Sequence, residues 1–110
     1  MSEHNRFVKN MPFEVLYKDE SLERLERDAK YTAGYSQAII RAFRKRMWSI
    51  RNATDERDFY GMSSARFEKL QGNRSHQYSM RLNDQWRLIF EIQGKGKTKI
   101  FLVIGIEDYH

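Results

Sequence analysis

Gln77-Tyr78-Ser79-Met80-Arg81-Leu82-Asn83-Asp84-Gln85-Trp86-Arg87-Leu88-Ile89-Phe90 consists of two alternating runs joined at a polar hinge. Strict alternation of apolar and polar residues marks half-buried strands. The hinge closes in one of two ways. A two-residue loop at Asn83-Asp84 pairs Leu82 with Gln85, Arg81 with Trp86 and Met80 with Arg87, mixing apolar and charged side chains on both faces. A three-residue loop, Asn83-Asp84-Gln85, pairs Leu82 with Trp86, Met80 with Leu88 and Tyr78 with Phe90. One face is then wholly apolar, and register follows burial because a one-residue slip turns every side chain over. The three-residue loop is therefore expected. It leaves Ser79, Arg81, Arg87, Ile89 and Glu91 on the opposite face, with Arg81 directly across from Arg87. Like charges so placed destabilise a sheet by several tenths of a kcal/mol. Two readings account for the pair: flanking carboxylates (Glu91, Glu107 or Asp108), or a site for a phosphodiester, whose oxygens match guanidinium forks.

On the C-terminal side, the run Ile100-Phe101-Leu102-Val103-Ile104-Gly105-Ile106 predicts a strand over residues 99–109, after a polar turn at Gly94-Lys95-Gly96-Lys97. It carries Glu107-Asp108-Tyr109-His110 towards the arginines. On the N-terminal side, residues 1–10 are unpatterned and are read as a flexible lead-in to one domain, 11–110. Phe13, Val15 and Tyr17 alternate as a first strand. Asp19 or Ser21 caps a helix whose apolar stripe is Leu22, Leu25 and Ala29, reaching about Tyr31 before Gly34 breaks it. Ser36 caps a longer helix with the stripe Ile39, Ile40, Phe43, Met47, Trp48 and Ile50. Arg41, Arg44, Lys45, Arg46 and Arg51 are assigned to its remaining, solvated surface. Residues 55–64 read as a connector, and Gly72-Asn73-Arg74 as a turn before the strands at 77–82 and 86–91. This order predicts an α+β fold: an N-terminal strand and two helices packed on one face of a mainly antiparallel four-stranded sheet.

With 110 residues there is room for a single domain. Twenty Lys and Arg against fifteen Asp and Glu give a net charge of +5. The excess lies beyond residue 34: residues 35–60 hold six basic and three acidic side chains, and residues 61–110 eight and five. Such a surface makes nucleic acid the first partner to consider. The absence of cysteine excludes disulfides, thiolate nucleophiles and Cys-based zinc sites. No apolar run is long enough to span a membrane, and the first residues lack a secretory pattern, so a cytoplasmic protein is expected. No phosphate-binding glycine loop, dinucleotide fingerprint or paired-histidine metal motif is present, and His4, His76 and His110 have no ligand spacing. Neither metal nor cofactor is expected. The remaining inventory suits metal-free RNA cleavage, in which a 2′-OH is activated, phosphate charge neutralised and the leaving oxygen protonated. Arg81 and Arg87 suit the second task. His110 suits an acid or base, Tyr109 a proton relay, and Arg66, Lys69 and Arg74 grip on the RNA backbone.

The run from Arg66-Phe67-Glu68-Lys69-Leu70-Gln71-Gly72-Asn73-Arg74 through Phe90, closed by Glu107-Asp108-Tyr109-His110, resembles the HigB (plasmid killer) toxins of the RelE superfamily. Members carry a close variant of this run and a similar D-Y-H ending; looser likeness extends over roughly residues 13–110. The resemblance implies the toxin of a bacterial type II toxin-antitoxin pair, a ribosome-dependent mRNA endonuclease that uses the 2′-OH as nucleophile and needs no metal. It implies a helix-turn-helix antitoxin as partner, with operator DNA reached only through that antitoxin. Arg81, Arg87, Tyr109 and His110 match the positions where the family places phosphate binding and proton transfer. Gln71 stands where several members have lysine, which removes a positive charge. Two other readings stay open: a catalytically weak or inactive member that binds antitoxin or nucleic acid, and a ParE-like gyrase inhibitor, against which the Tyr109-His110 ending argues.

Overall fold

Phe13, Val15 and Tyr17 turn inward and Glu14 and Leu16 outward along β1 (Phe13–Tyr17), which adds in parallel to the far strand of the sheet. The computed structural model describes residues 13–94 and 99–108. The lead-in expected at 1–10, most of the turn at 94–97, and Tyr109 and His110 lie outside them. Helix α1 (Glu20–Arg27) is capped by Asp19, whose carboxylate accepts the Ser21 N–H at 2.8 Å. It ends sooner than the stripe suggested: Asp28 is already extended, and Ala29 is exposed. Helix α2 (Gln37–Arg51) starts as expected, the Ser36 hydroxyl accepting the Ile39 N–H at 3.2 Å. A third helix, α3 (Arg57–Tyr60), replaces part of the expected connector and delivers Phe59, fully buried, against the rings of Phe13, Phe67, Phe90 and Phe101.

The sheet has five strands, not four, in the order β1-β5-β4-β3-β2. The addition is β2 (Glu68–Lys69), a two-residue edge antiparallel to β3 (Tyr78–Arg81) and too short for alternation to reveal. Strands β3, β4 (Trp86–Gln93) and β5 (Lys99–Asp108) form the expected antiparallel meander. Met80, Leu88, Phe90, Phe101 and Val103 face the helices and are fully buried beside Leu25, Phe43, Met47 and Ile50. One irregularity decides the end of β5. Ile89 pairs with Gly105 but Phe90 with Val103, so Ile104 is an extra residue, a β-bulge. Val103 and Ile106 therefore both pack on the helical side although they are three apart, and Glu107 turns to the opposite face beside Arg87.

The surface assigned to α2 is largely engaged. Arg44 donates to Leu25 O and Asp28 O, both at 2.9 Å, satisfying carbonyls at the open end of α1. Arg51 grips the Glu26 carboxylate with two bonds of 2.6 and 2.9 Å, and Glu26 also accepts the Tyr17 hydroxyl. Burial, then the bond to Glu26, pushes the Tyr17 hydroxyl's pKa up. Burial opposes ionisation of Glu26, but the bonds from Arg51 and Tyr17 outweigh it and hold that carboxyl below its ordinary value. Arg46 is buried, only 8% exposed. Trp48, expected in the core stripe, is 68% exposed. At about 3.6 residues per turn, position 48 falls opposite Phe43, Met47 and Ile50, whereas position 46 borders them.

Candidate functional site

The hairpin closes as burial required. Leu82 N–H donates to Trp86 O at 2.9 Å, and Asn83 Oδ1 accepts the N–H groups of Gln85 and Trp86, both at 2.8 Å. Asparagine suits this place because its side chain can stand in for a turn's backbone acceptor. Arg81 consequently lies directly across from Arg87, and Ser79 across from Ile89. On the other side of β3, Glu68 pairs with Ser79, which brings its carboxylate to the arginine face.

Arg66, Glu68, Ser79, Arg81, Asn83, Asp84 and Arg87 line one cleft of about 190 Å³. Arg87 donates to the buried Ser79 hydroxyl at 3.3 Å, and its Nη1 stands 3.6 Å from Glu68 Oε1. Arg81 donates to Asn83 O at 3.2 Å and pairs with Asp84, whose carboxylate is 94% exposed. The acids these two arginines meet in the cleft, Asp84 and Glu68, are both exposed. Arg66 follows the 3₁₀ turn Ser63–Ala65 with φ of +46°, a left-handed conformation that costs an arginine on the order of 1 kcal/mol. Strained backbone of this kind is concentrated at active sites and ligand clamps.

Behind the cleft, Arg46 reaches from α2 and donates to Arg81 O and Ser64 O, both at 3.0 Å. It ties the helix to the end of β3 and to the turn before Arg66, so it positions two of the three cleft arginines. Burial, and then the charge of Arg81, lowers the pKa of its guanidinium. The solvated position expected for Arg46 is thus corrected. Its helical position on the border of the Phe43–Met47–Ile50 stripe was the available signal. Glu68 was also missed, because nothing in its own pattern distinguishes it until β2 pairs with Ser79.

The other expected residues divide. Arg66, Arg81 and Arg87 are brought together. Arg74, at the end of the 3₁₀ turn Gly72–Arg74, is held elsewhere: its Nη1 and Nη2 donate to the two Glu107 oxygens at 3.0 and 2.8 Å, and its Nε to Gln77 Oε1 at 2.9 Å. The bonds to Glu107 raise the Arg74 pKa. Glu107 is the register partner of Arg87, so this pair closes the far side of the arginine row. His76 approaches Glu91 at 3.6 Å, and with Arg74 draws residues 70–77 over this sheet face, where Ile89 is fully buried. The face is therefore partly covered, not bare. Lys69 pairs with Tyr78 and so belongs to the helical side of the edge strand; it does not line the cleft, and neither does Gln71. Asp84 pairs with Arg81 and Glu68 approaches Arg87, while Glu107, the neighbour of Arg87 in register, is bonded to Arg74, Glu91 faces His76 and Asp108 accepts from Gln85 at 3.0 Å. Among the described residues no group of three or more His, Cys, Asp or Glu is placed to hold a metal ion.

Residues 15–105 match the family described as the RelE-like toxin of type II toxin-antitoxin system HigB. The protein belongs to the HigB-like toxins. Solved structures agree on the fold. A YoeB/ParE toxin from Agrobacterium tumefaciens is 13% identical, with 88% of this chain and 99% of that one covered at a TM-score of 0.59. The YoeB-YefM complex from Staphylococcus aureus gives 20% identity, 89% and 97% coverage and a TM-score of 0.53. YafQ from Escherichia coli gives 8%, 87% and 92%, and 0.51. No curated protein sequence matches. In this HigB-like toxin the arginine cleft opens on the sheet face opposite the helices, and no helix among the described residues is long and apolar enough to cross a membrane.

Proposed function

We propose that this HigB-like toxin is an endoribonuclease that cuts mRNA on the ribosome, in the cytoplasm and without a metal ion. The observation that carries the reading is the meeting of Arg66, Arg81 and Arg87 with two carboxylates, Glu68 and the Arg81-paired Asp84, in a single cleft. Arg81 and Arg87 receive the non-bridging oxygens of the scissile phosphate, and Arg66 steadies the neighbouring backbone. We assign removal of the ribose 2′-hydroxyl proton to Glu68, whose carboxylate lies 3.6 Å from Arg87 Nη1 in the same cleft. The 2′-oxygen then bonds to phosphorus while the bond to the 5′-oxygen breaks, leaving a 2′,3′-cyclic phosphate and a 5′-hydroxyl. The departing oxygen needs a proton, which we assign to His110 with Tyr109 orienting it. The two guanidinium groups stabilise the added negative charge of the transition state. Arg74, paired with Glu107 beside the cleft, shapes its rim.

The partner we propose is a helix-turn-helix antitoxin that neutralises the toxin and brings it to operator DNA. A YoeB-YefM pair has been solved for a structural relative. The deciding experiment is induced expression followed by mapping of 5′ ends on cellular mRNA. Wild type is expected to give new ends within translated frames, and both Arg87→Ala and a chain lacking His110 to reduce them about 100-fold or more. Growth arrest with intact message and relaxed plasmid would replace the nuclease reading with gyrase inhibition. Absence of both effects would mark an inactive binding protein.

A further inference from the structure

We infer that α2 carries a second RNA-binding surface, separate from the arginine cleft, in which the Trp48 ring stacks on an unpaired base and Arg41 and Lys45 take adjacent phosphates. At about 3.6 residues per turn, positions 41, 45, 48 and 52 form one line along the helix, on the side away from its buried stripe. Arg41, Lys45, Trp48 and Asn52 are all exposed, Trp48 to 68%. Packing does not explain the tryptophan. Among the described residues its ring makes no aromatic or cation contact, although an indole gains most by being covered.

Arg41 and Lys45 differ from the other basic residues of the same helix. Arg44, Arg46 and Arg51 are held by carbonyls or by Glu26, whereas Arg41 and Lys45 make no ion pair or side-chain hydrogen bond among the described residues. The stripe from Arg41 to Trp48 is about 10 Å long, enough for a few nucleotides. Cations interleaved with a bare aromatic ring suit single-stranded nucleic acid, since phosphates meet the charges while any base can stack.

A protein partner fits less well. Protein interfaces centre on a cluster of apolar side chains surrounded by a polar rim. Here a lone aromatic has cationic and polar neighbours, and among the described residues the other large exposed apolar side chains, Leu16 and Tyr60, stand on β1 and α3. Because α2 packs on one face of the sheet and the cleft opens on the other, a message strand held by Arg81 and Arg87 leaves the stripe available. Resting on the proposed action at the ribosome, this surface engages unpaired nucleotides of ribosomal RNA.

The test uses the full chain with Trp86→Phe, so that Trp48 alone reports by fluorescence. Two probes are titrated: an RNA hairpin with a loop of unpaired adenines, and a Glu-rich amphipathic peptide. The hairpin is expected to quench Trp48, with affinity about tenfold weaker after Trp48→Ala, measured by RNA anisotropy. Arg41→Ala with Lys45→Ala should flatten the slope of log affinity against log salt by about 1.4, the value for two single-strand phosphates. Arg81→Gln should leave the quench in place. Pelleting with ribosomes that carry no message should fall in the triple Ala variant but not in Arg81→Gln. A quench by the peptide and not by the hairpin would overturn the inference, as would unchanged pelleting of the triple variant. Absence of mRNA cleavage by the wild type, with its pelleting present and lost in the triple variant, would count against the nuclease reading while supporting this surface. All three substituted side chains are exposed, and circular dichroism checks that each variant folds.

Discussion

Replacing Arg81 by glutamine should make the toxin slightly more stable while nearly abolishing its activity. Arg81 sits directly across the sheet from Arg87, a like-charge arrangement unfavourable by about 0.5 kcal/mol. Its charge also depresses the pKa of Arg46, whose guanidinium is bonded to the Arg81 carbonyl, so a second repulsion acts in the same direction. Set against these are the pair with the almost fully exposed Asp84, worth about 0.3 kcal/mol, and a part-exposed bond to Asn83 O. The carbonyl that Arg46 uses belongs to the backbone and survives the substitution. With the relief of Arg46 set against the lost bond to Asn83 O, the net expectation is a gain of about 0.2 kcal/mol. With an unfolding entropy near 0.23 kcal/mol per kelvin for a chain of this length, Tm should rise by about 1 °C. On the proposed mechanism, loss of one of the two guanidinium groups assigned to the transferring phosphate should lower cleavage about 100- to 1000-fold. Thermal melts of the purified variant, with 5′-end mapping after induction, measure both quantities. A Tm fall of 4 °C or more, or cleavage within a few-fold of wild type, would refute the view that the arginine row is held together for function at the expense of stability.

Glu26→Gln should weaken the Arg51 grip and the Tyr17 bond together, costing about 2 kcal/mol after allowance for the part-exposed Arg51, or roughly 9 °C in Tm. Because the folded Glu26 pKa lies below its unfolded value of 4.5, its contribution is complete above that pH and is lost as pH falls through the folded value. Wild type should therefore lose part of its stability in acid that the variant never had, and parallel urea midpoints across pH 3–7 would contradict this. Tyr17 has the opposite sign: its pKa is raised, so the stability it gives is full below pH 10 and declines above it, and Tyr17→Phe should flatten that alkaline limb in melts at pH 9–11. Arg74→Ala and Glu107→Gln should each lower activity by about tenfold with stability changed by no more than about 1 kcal/mol, since the pair is part-exposed on both sides. Their effects on activity should be non-additive in a double-mutant cycle, because each acts by releasing residues 70–77 from the sheet; strictly additive losses would assign them independent roles.

Several elements were legible in residue order alone. The Asn83 hairpin could be aligned by parity because only one register gives an apolar face, and the same argument predicted Arg81 opposite Arg87. Ser36 and Ala29 show where local signals hold and where they stop. A serine cap works through its own hydroxyl, whereas α1 ends early because Arg44, nineteen residues beyond Leu25, supplies donors to its last carbonyls. Trp48 was misplaced by counting apolar residues without following their angle round the helix. Phe59 was missed because a four-residue helix has no periodicity to detect, although its ring joins β1, β4 and β5.

Sequence by itself determined the hairpin register, the helix starts and the convergence of two guanidinium groups, because alternation and caps act between residues close in the chain. Tertiary structure alone decided the counter-charges. Glu68 reaches the cleft only through the pairing of a two-residue edge strand, and Glu107 turns towards the arginines only because Ile104 bulges from β5 and reverses the parity of the strand beyond it. Such choices depend on the fit of one strand against a distant one, and a chain read in order does not contain that fit.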